Sequence, residues 1–347
     1  MIGLQHWDLN EYAITPGDAT AVAPLVHVHG LSTDRHHDQI LLTDVFLTRV
    51  TAWNWLLYQF QGHVEFLTPD QLLSPGVPSD ELDAQGYLEM SDSKQAAEVA
   101  AFRALGWKIV AHPTGAVVNE VIAPSPARSA HLHVGDEIVS VNNQVIVNSC
   151  SFISAVRDLA PASRLELGVR PVHISNSGVL SWGSVLRRSL TTAPAPKGFA
   201  SSGCANQSGP PRSWLGLAIE NGVHYDVPAK VSINTSNIGG PSAGLAMTLA
   251  LIDRLSAGSL TGGHVVAATG TISANGAVGD VGGVAEKTVA VQRAGARYFI
   301  VPQVEVATAR ANANPGLSVI GVKTLAEALK DLRALGGSSP TALTRPS

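Results

Sequence analysis

Cysteine is scarce in this sequence, whose 347 residues include only two, Cys150 and Cys204. Two cysteines do not make the disulfide framework of a small secreted scaffold, and their spacing does not match a zinc site. A single disulfide between them is compatible with the sequence, but nothing in the sequence implies it. We therefore expect a fold that depends on a hydrophobic core and not on cross-links.

Charged residues are also few, at 14% of the chain, and the net charge is only −4. Such a weak charge gives no reason to expect a nucleic acid as partner. Disorder requires low hydrophobicity and high net charge, whereas 45% of these residues are hydrophobic. The chain is longer than one average domain, so we expect several folded domains.

Long apolar runs are absent as well. No stretch approaches the ~20 apolar residues that a membrane helix needs. The beginning, MIGLQHWDLNEYAITPG, has neither the basic nor the apolar region of a signal peptide. These features predict a soluble chain.

The order of strand and helix patterns predicts a multidomain protein of α+β and α/β type. We expect a mixed α/β region at 1–107, a small β-rich domain at 108–173, an irregular linker at 174–213, an α/β domain at 214–337 and a flexible tail at 338–347. Within the first region, LVHVHG predicts a strand, whereas the long apolar segment 41–60 and the segment 91–106 predict helices.

One short motif raises a question of chemistry. Gly240-Pro241-Ser242-Ala243-Gly244 fits the pattern G-x-S-x-G and precedes a helical apolar repeat that predicts a helix over 240–255. Ser242 would then lie in the first turn, where backbone amides without helical partners could hold an oxyanion. A serine that merely caps the helix is the alternative, and the helix start alone favours it.

A shortage of histidine decides against one kind of nucleophile. An α/β-hydrolase serine is followed in the chain by an acid and then a histidine. Only His264 follows Ser242, and Asp253 is the only acid between them. This leaves no room for the strands that carry such a triad, so an esterase of that type is disfavoured and Ser242 needs another base.

Lys287 is a candidate for that base. It lies three residues after Val284 and four before Val291, on the apolar stripe of a helix predicted over 284–294. A lysine that faces the core loses its proton more easily and can act as a general base. A lysine whose stem covers the core while its amine reaches water is an equally weighted alternative.

Three other motifs give weaker indications of function. GGVAEKT lacks the glycine that precedes the lysine in a P-loop, so no ATP site is expected. Ser91 to Lys94 fits S-x-x-K but opens a polar helix, and we interpret it as a helix cap. His27, His29, His36 and His37 lie close together in the sequence without a complete ligand set, so we expect no metal.

Two stretches, GGPSAGLAM and ATGTISANGAVGDVGGVAEKTVAVQRAGARYFIVP, resemble the proteolytic domain of Lon proteases. The resemblance covers about 215–335 and implies a catalytic dyad of Ser242 and Lys287. It also implies a supporting role for Thr269, which is otherwise read as an ordinary strand threonine. Gly239 stands where ATP-dependent members usually carry an acid, which resembles the ATP-independent branch.

Residues 117–146 resemble a PDZ domain, with Ser125-Pro126-Ala127 before a short helix and Gly135-Asp136-Glu137-Ile138 opening a strand. PDZ domains bind extended peptides by adding a strand to a sheet edge. The loop that grips the peptide terminus is not evident, and we expect ALGWKIV (104–110) in its place. Asp136 is interpreted as a turn residue.

Together the resemblances imply an ATP-independent serine endopeptidase without cofactors that acts on proteins or peptides, with a PDZ domain for peptide recognition or gating. The alternative is a catalytically inactive peptide-binding adaptor, against which the presence of both Ser242 and Lys287 argues. Resemblance alone implies a hexameric ring. Relatives carry a membrane helix before the segment that resembles EYAITPG and face outward at the cell envelope, so we expect this chain to be truncated or soluble.

Overall fold

A computed structural model of the chain describes residues 7–34, 39–175, 178–197, 204, 210–235 and 238–344. These residues form two compact units that do not follow the order of the chain. The first unit combines Met1–Leu72, Glu89–Ile109 and Val227–Ser347, and the second combines Leu73–Leu88 and Val110–Asp226. His36 and His37 lie outside the described residues.

The strands, numbered in chain order, are β1 (Asp8–Ala21), β2 (Val26–His29), β3 (Ile40–Thr51), β4 (Glu65–Leu67), β5 (Val110–Val121), β6 (Glu137–Val141), β7 (Gln144–Val145), β8 (Arg164–Arg170), β9 (Val172–Ile174), β10 (Leu180–Trp182), β11 (Leu186–Thr191), β12 (Ala193–Pro194), β13 (Ser213–Trp214), β14 (Leu217–Asp226), β15 (Lys230–Ile233), β16 (Val266–Ala268), β17 (Thr271–Ile272), β18 (Val278–Gly279), β19 (Tyr298–Pro302) and β20 (Ser318–Val322).

The α-helices are α1 (Ala52–Tyr58), α2 (Pro69–Leu72), α3 (Leu82–Ala104), α4 (Pro126–Ser129), α5 (Ser149–Val156), α6 (Gly244–Leu255), α7 (Val284–Arg293), α8 (Val306–Asn312) and α9 (Leu325–Ala334). In the described part of the chain, each helix is too short or too polar to cross a bilayer. The mixed α/β, multidomain fold class expected from the sequence is confirmed.

The first unit is built on a six-stranded mixed sheet in the order β20-β19-β16-β3-β1-β4. Strands β3, β16, β19 and β20 run parallel, and β1 and β4 complete the sheet in antiparallel fashion. Strands from the beginning of the chain therefore share one sheet with strands from its end. The N-terminal region does not stand as a separate layer, because its β3 hydrogen-bonds to β16 from Ile40 to Leu42.

The helix predicted for residues 41–60 is wrong over most of its length. Residues up to Thr51 form β3, and only α1 beyond it is helical. The segment is rich in β-branched residues, which fit a pleated surface better than a helix. Only Ile40–Thr43 and Val50 of this strand are buried, whereas Phe46 and Leu47 are exposed.

The second unit contains a sheet in the order β11-β8-β6-β5-β14, with β7 paired to β6. Its core is apolar and includes Ile138, Phe152 and Leu167. β14 pairs with β5 from Leu217 to Asp226, so the structure assigns the first strand after the linker to this sheet. Cys150 and Cys204 form a disulfide, which decides the pairing that the sequence left open.

Candidate active site and peptide groove

The segment around Ser242 is a turn that leads into α6. Gly240 has a φ of 81°, a left-handed conformation that glycine adopts without strain. The helix begins at Gly244, so Ser242 precedes it and does not lie in its first turn as predicted. The Ser242 carbonyl accepts from the amide of Gly270 at 2.9 Å, so it makes no helical bond. The first helical bond of α6 runs from Met247 to the Ala243 carbonyl.

Thr269 lies beside this turn at the carboxyl end of β16. Its side chain is fully buried, and its Oγ1 donates to the Ser242 carbonyl at 3.2 Å. Its amide bonds to the Ile300 carbonyl of β19. The Leu245 amide in turn donates to the Gly270 carbonyl. Thr269 and Gly270 therefore attach the serine turn to the central sheet, and the structure brings Thr269 and Ser242 together.

Lys287 lies in the first half of α7, which begins after Gly283, a residue with a φ of 65°. Only 2% of Lys287 is exposed, so its amine does not reach bulk water and the core-facing interpretation holds. Burial lowers the pKa of Lys287 to about 8, while the carboxylates of Asp44 and Glu305 act in the opposite direction. A buried amine with this pKa is partly neutral near physiological pH.

Two carboxylates, those of Asp44 and Glu305, act on the charge of Lys287. Asp44 lies two residues beyond Leu42, which pairs with Ala268 just before Thr269. Glu305 closes the turn that follows β19. Asp44 thus lies just past the part of β3 that pairs in parallel with β16, and Glu305 lies just past the carboxyl end of β19.

Ser242 and Lys287 are not in direct hydrogen bond with each other in the described structure. Catalytic hydrogen bonds are often long in unliganded enzymes and shorten when substrate binds. Of the predicted oxyanion segment, Pro241 has no N–H to donate, whereas Ser242 and Ala243 offer amides at the start of α6. The first unit thus contains a serine in the turn before α6 and a buried amine on α7.

The second unit carries a cavity of about 400 Å³ between α5 and β14. From α5 it is lined by Phe152, Ile153 and Val156. From the other side it is lined by residues 213–215 and 217–219. β14 is the last strand of its sheet, so its outer edge is not paired within the described residues.

The predicted gripping loop, 104–110, is a different feature. There the amide of Gly106 bonds to the Arg103 carbonyl and that of Trp107 to the Phe102 carbonyl, which ends α3. The residues that line the cavity include Trp214, Leu215 and Leu217, which sequence reasoning missed. The available signal was Leu215-Gly216-Leu217, a glycine between two apolar residues at the start of an alternating strand.

Hydrogen bonds from Arg212 and Ser213, which precede β14, hold α5 at its carboxyl end. The Ser213 hydroxyl donates to the Val156 carbonyl at 2.7 Å, and the Arg212 amide donates to the Arg157 carbonyl. Cys150, near the amino end of α5, is joined to Cys204. The helix that lines the cavity is therefore attached to Cys204 near its amino end and to Arg212 and Ser213 at its carboxyl end.

No group of three or more histidine, cysteine, aspartate or glutamate side chains in the described ranges is arranged to hold a metal ion. His27 and His29 lie on β2, which pairs with β15.

Two protein families match this chain. Residues 217–334 match the C-terminal proteolytic domain of Lon protease (S16), and residues 103–170 match the PDZ domain. The chain thus carries a Lon-type proteolytic domain and a PDZ domain, as the sequence motifs indicate.

Curated relatives include Lon protease 1 of Herpetosiphon aurantiacus, 44% identical over 80 residues, which cover 23% of this chain and 10% of that protein. Lon protease 2 of Bacillus subtilis is 34% identical over 110 residues, covering 32% of this chain and 18% of that protein. The chain therefore spans less than a fifth of these relatives. A solved PDZ domain of an SdrC-like protein from Listeria monocytogenes aligns with 30% of this chain and 87% of its own, at 15% identity and a TM-score of 0.23.

Proposed function

We propose that this protein is an ATP-independent serine endopeptidase in which Ser242 is the nucleophile and Lys287 the general base. The observation that carries the proposal is the burial of Lys287, which is 2% exposed with a pKa of about 8. A charged amine is costly in such a place, so burial favours the neutral amine that a general base requires. The match of residues 217–334 to the Lon proteolytic domain supports the same chemistry.

In the proposed reaction, Ser242 Oγ attacks the scissile carbonyl while Lys287 Nζ accepts the hydroxyl proton. The amides of Ser242 and Ala243 stabilise the oxyanion of the tetrahedral intermediate. Lys287 then gives its proton to the departing amine, which leaves an acyl-enzyme on Ser242. A water molecule then attacks the ester while it gives a proton to Lys287. Lys287 passes that proton to Ser242 Oγ as the acid is released, which restores the hydroxyl and the neutral amine. Thr269 supports this step by holding the Ser242 carbonyl through its Oγ1.

Substitution of the nucleophile tests the proposal. Ser242→Ala should lower casein cleavage by at least ~10³-fold, because the acyl-enzyme can no longer form. Ser232→Ala, at an exposed position of β15, is the matched control and should cleave at the parent rate. If Ser242→Ala cleaved casein as fast as the parent, the mechanism would be wrong.

ATP independence is the second part of the proposal. Neither matched segment is an ATPase module. The rate of casein cleavage should therefore be the same with and without added MgATP. An increase of more than about twofold on adding MgATP would contradict this part alone.

We also propose that the groove between α5 and β14 binds an extended peptide. The peptide would add a strand to the edge of β14 and place an apolar side chain in the cavity of about 400 Å³. Ile153→Arg should then weaken binding of a fluorescent peptide with an apolar C-terminus, whereas Val145→Arg, on the exposed β7, should not. Equal affinities for both variants would contradict this assignment.

The finer assignments of assembly and location rest on the resemblance. We propose a hexameric ring, which light scattering at several protein concentrations would test. We further propose that the protein works at the cell envelope, since a disulfide such as Cys150–Cys204 forms in oxidising compartments. Labelling of the protein on intact cells by an impermeant reagent would test that location.

A further inference from the structure

Helix α3 lies against the turn that carries Ser242. Ser93, on α3, is only 5% exposed, and its Oγ donates to the Pro241 carbonyl at 2.9 Å. A Cβ added at Gly244 would stand 2.9 Å from the same Oγ, so helix and turn are in close contact. The hydroxyl of Ser93 is therefore held between α3 and the residue that precedes the serine.

A second contact joins α3 to strand β15. The Glu98 carboxylate on α3 accepts a hydrogen bond from the amide of Val231 in β15. α3 thus contacts β15 through Val231 and the serine turn through Pro241. This arrangement limits the freedom of the turn before any substrate is present.

The Pro241 carbonyl and the Ser242 amide belong to one peptide plane. In a trans peptide the C=O and N–H point in opposite directions. The Pro241 carbonyl also accepts from the Gly244 amide at 3.3 Å, so the Ser93 hydroxyl at 2.9 Å is the closer of its two donors. By holding the Pro241 oxygen toward α3, this hydroxyl directs the Ser242 N–H away from α3. That amide is one of the two donors assigned above to the oxyanion.

We propose that Ser93 is a positioning residue for catalysis, which orients the Pro241–Ser242 peptide so that the Ser242 amide can stabilise the oxyanion. The inference rests on the proposed peptidase function and adds to it a residue outside the Lon-type motif. Ser93 belongs to the S-x-x-K stretch that we interpreted from the sequence as a helix cap. That interpretation is wrong, because the stretch lies inside α3, which begins at Leu82. It does not touch the substrate and acts through the peptide plane alone.

The test is Ser93→Ala with Ser91→Ala as matched control, since Ser91 is a half-buried serine on the same helix. An oxyanion donor acts in the transition state more than in the ground state. Ser93→Ala should therefore lower kcat for a short peptide by about tenfold or more while KM changes by less than about twofold. Ser91→Ala should change neither constant.

The affinity for a peptide aldehyde is a measurement that a merely structural role of Ser93 would not change. It forms a hemiacetal with the serine and mimics the oxyanion, so its affinity should fall by about the same factor as kcat in Ser93→Ala. Ser93→Thr keeps the hydroxyl and should recover most of both. Thermal unfolding of each variant shows whether the fold is intact. If Ser93→Ala does not fold, the comparison of Ser93→Thr, which keeps the hydroxyl, with Ser93→Val, which lacks it, decides the question.

The outcomes separate the two proposals. If the parent cleaves peptides and binds the aldehyde, but Ser93→Ala matches it in both, the role of Ser93 is refuted and the peptidase proposal stands. A KM increase with unchanged kcat, or an equal loss in Ser91→Ala, also refutes it. If the parent neither cleaves peptides nor binds the aldehyde, the peptidase proposal fails and the Ser93 proposal with it.

Discussion

The two candidate sites of this molecule are built from opposite materials. The site in the first unit consists of polar side chains withdrawn from water, with Thr269 fully buried and Lys287 2% exposed. The groove in the second unit consists mainly of apolar side chains around an open cavity, next to an unpaired strand edge in the described residues. Each arrangement suits a different task.

Covalent chemistry needs desolvation, because a lysine surrounded by water keeps its proton at neutral pH. Peptide binding needs shape and free backbone groups, which many apolar residues can provide. A substitution in the first unit should therefore abolish turnover without unfolding, whereas one in the second should change affinity and leave the chemistry in place. The following predictions test that contrast.

Lys287→Met gives the largest expected effect. Removing the base should lower cleavage of casein by ~10²- to 10⁴-fold. The unbranched apolar replacement removes a buried amine, so the thermal midpoint should stay the same or rise. Activity assays and thermal unfolding on one preparation measure both quantities.

Lys323→Met, at an exposed lysine of the same unit, is the matched control and should leave cleavage unchanged. Lys287→Arg, which keeps the charge but cannot act as a base, should be as inactive as Lys287→Met. A Lys287→Met protein with the parent rate would remove the chemical distinction between the two sites.

The pH dependence of kcat/KM is expected to show the second-largest effect. Lys287 is active as a base when neutral, and its pKa is about 8, so the neutral fraction rises with pH through that value. Between pH 7 and pH 9 that fraction grows from about a tenth to about nine tenths, so kcat/KM for a short peptide should rise about tenfold. A flat profile over this range would contradict Lys287 as the base. Peptide binding to the groove should not follow the same curve.

Thr269→Val should have a smaller effect on turnover. The variant loses the donor to the Ser242 carbonyl, so kcat should fall by about three- to tenfold with a loss of about 1 kcal/mol in stability. Thr248→Val is the matched control, because Thr248 is also buried and donates to the Gly244 carbonyl. Its stability should fall by a similar amount while kcat is kept. Equal kcat losses in both variants would indicate a packing effect only.

The smallest effect on turnover belongs to the disulfide. Replacing Cys150 and Cys204 with serine frees the amino end of α5 and should weaken peptide binding to the groove several-fold. Cleavage of a short peptide that does not need the groove should stay within about twofold of the parent. Reductant should weaken binding to the parent but not to the double variant. If turnover fell more than binding, the two units would not divide the tasks as proposed.

Particular residues show how far the sequence alone reaches. The core-facing position of Lys287 could be predicted because helical spacing depends on a few neighbours in the chain, and its burial agrees with that spacing. Its pairing with Ser242 stays a prediction. β3 was missed because the length of its apolar segment suggested a helix, although its β-branched residues favour a strand. Its hydrogen bonds to β16 decide between the two. The groove was missed because its walls come from residues 152–157 and 213–219, which no local pattern connects.

The sequence by itself determined which residues are chemically suited to catalysis, since hydroxyl, amine and glycine are properties of single positions and their periodicity. The tertiary structure decided what surrounds these residues. Lys287 is buried, and the Ser242 carbonyl accepts from Thr269 and Gly270 and not from its own helix. Ser93 holds the carbonyl of Pro241, the residue before Ser242. Burial and hydrogen-bond partners arise from contacts between segments far apart in the chain, so they exist only once the chain has folded.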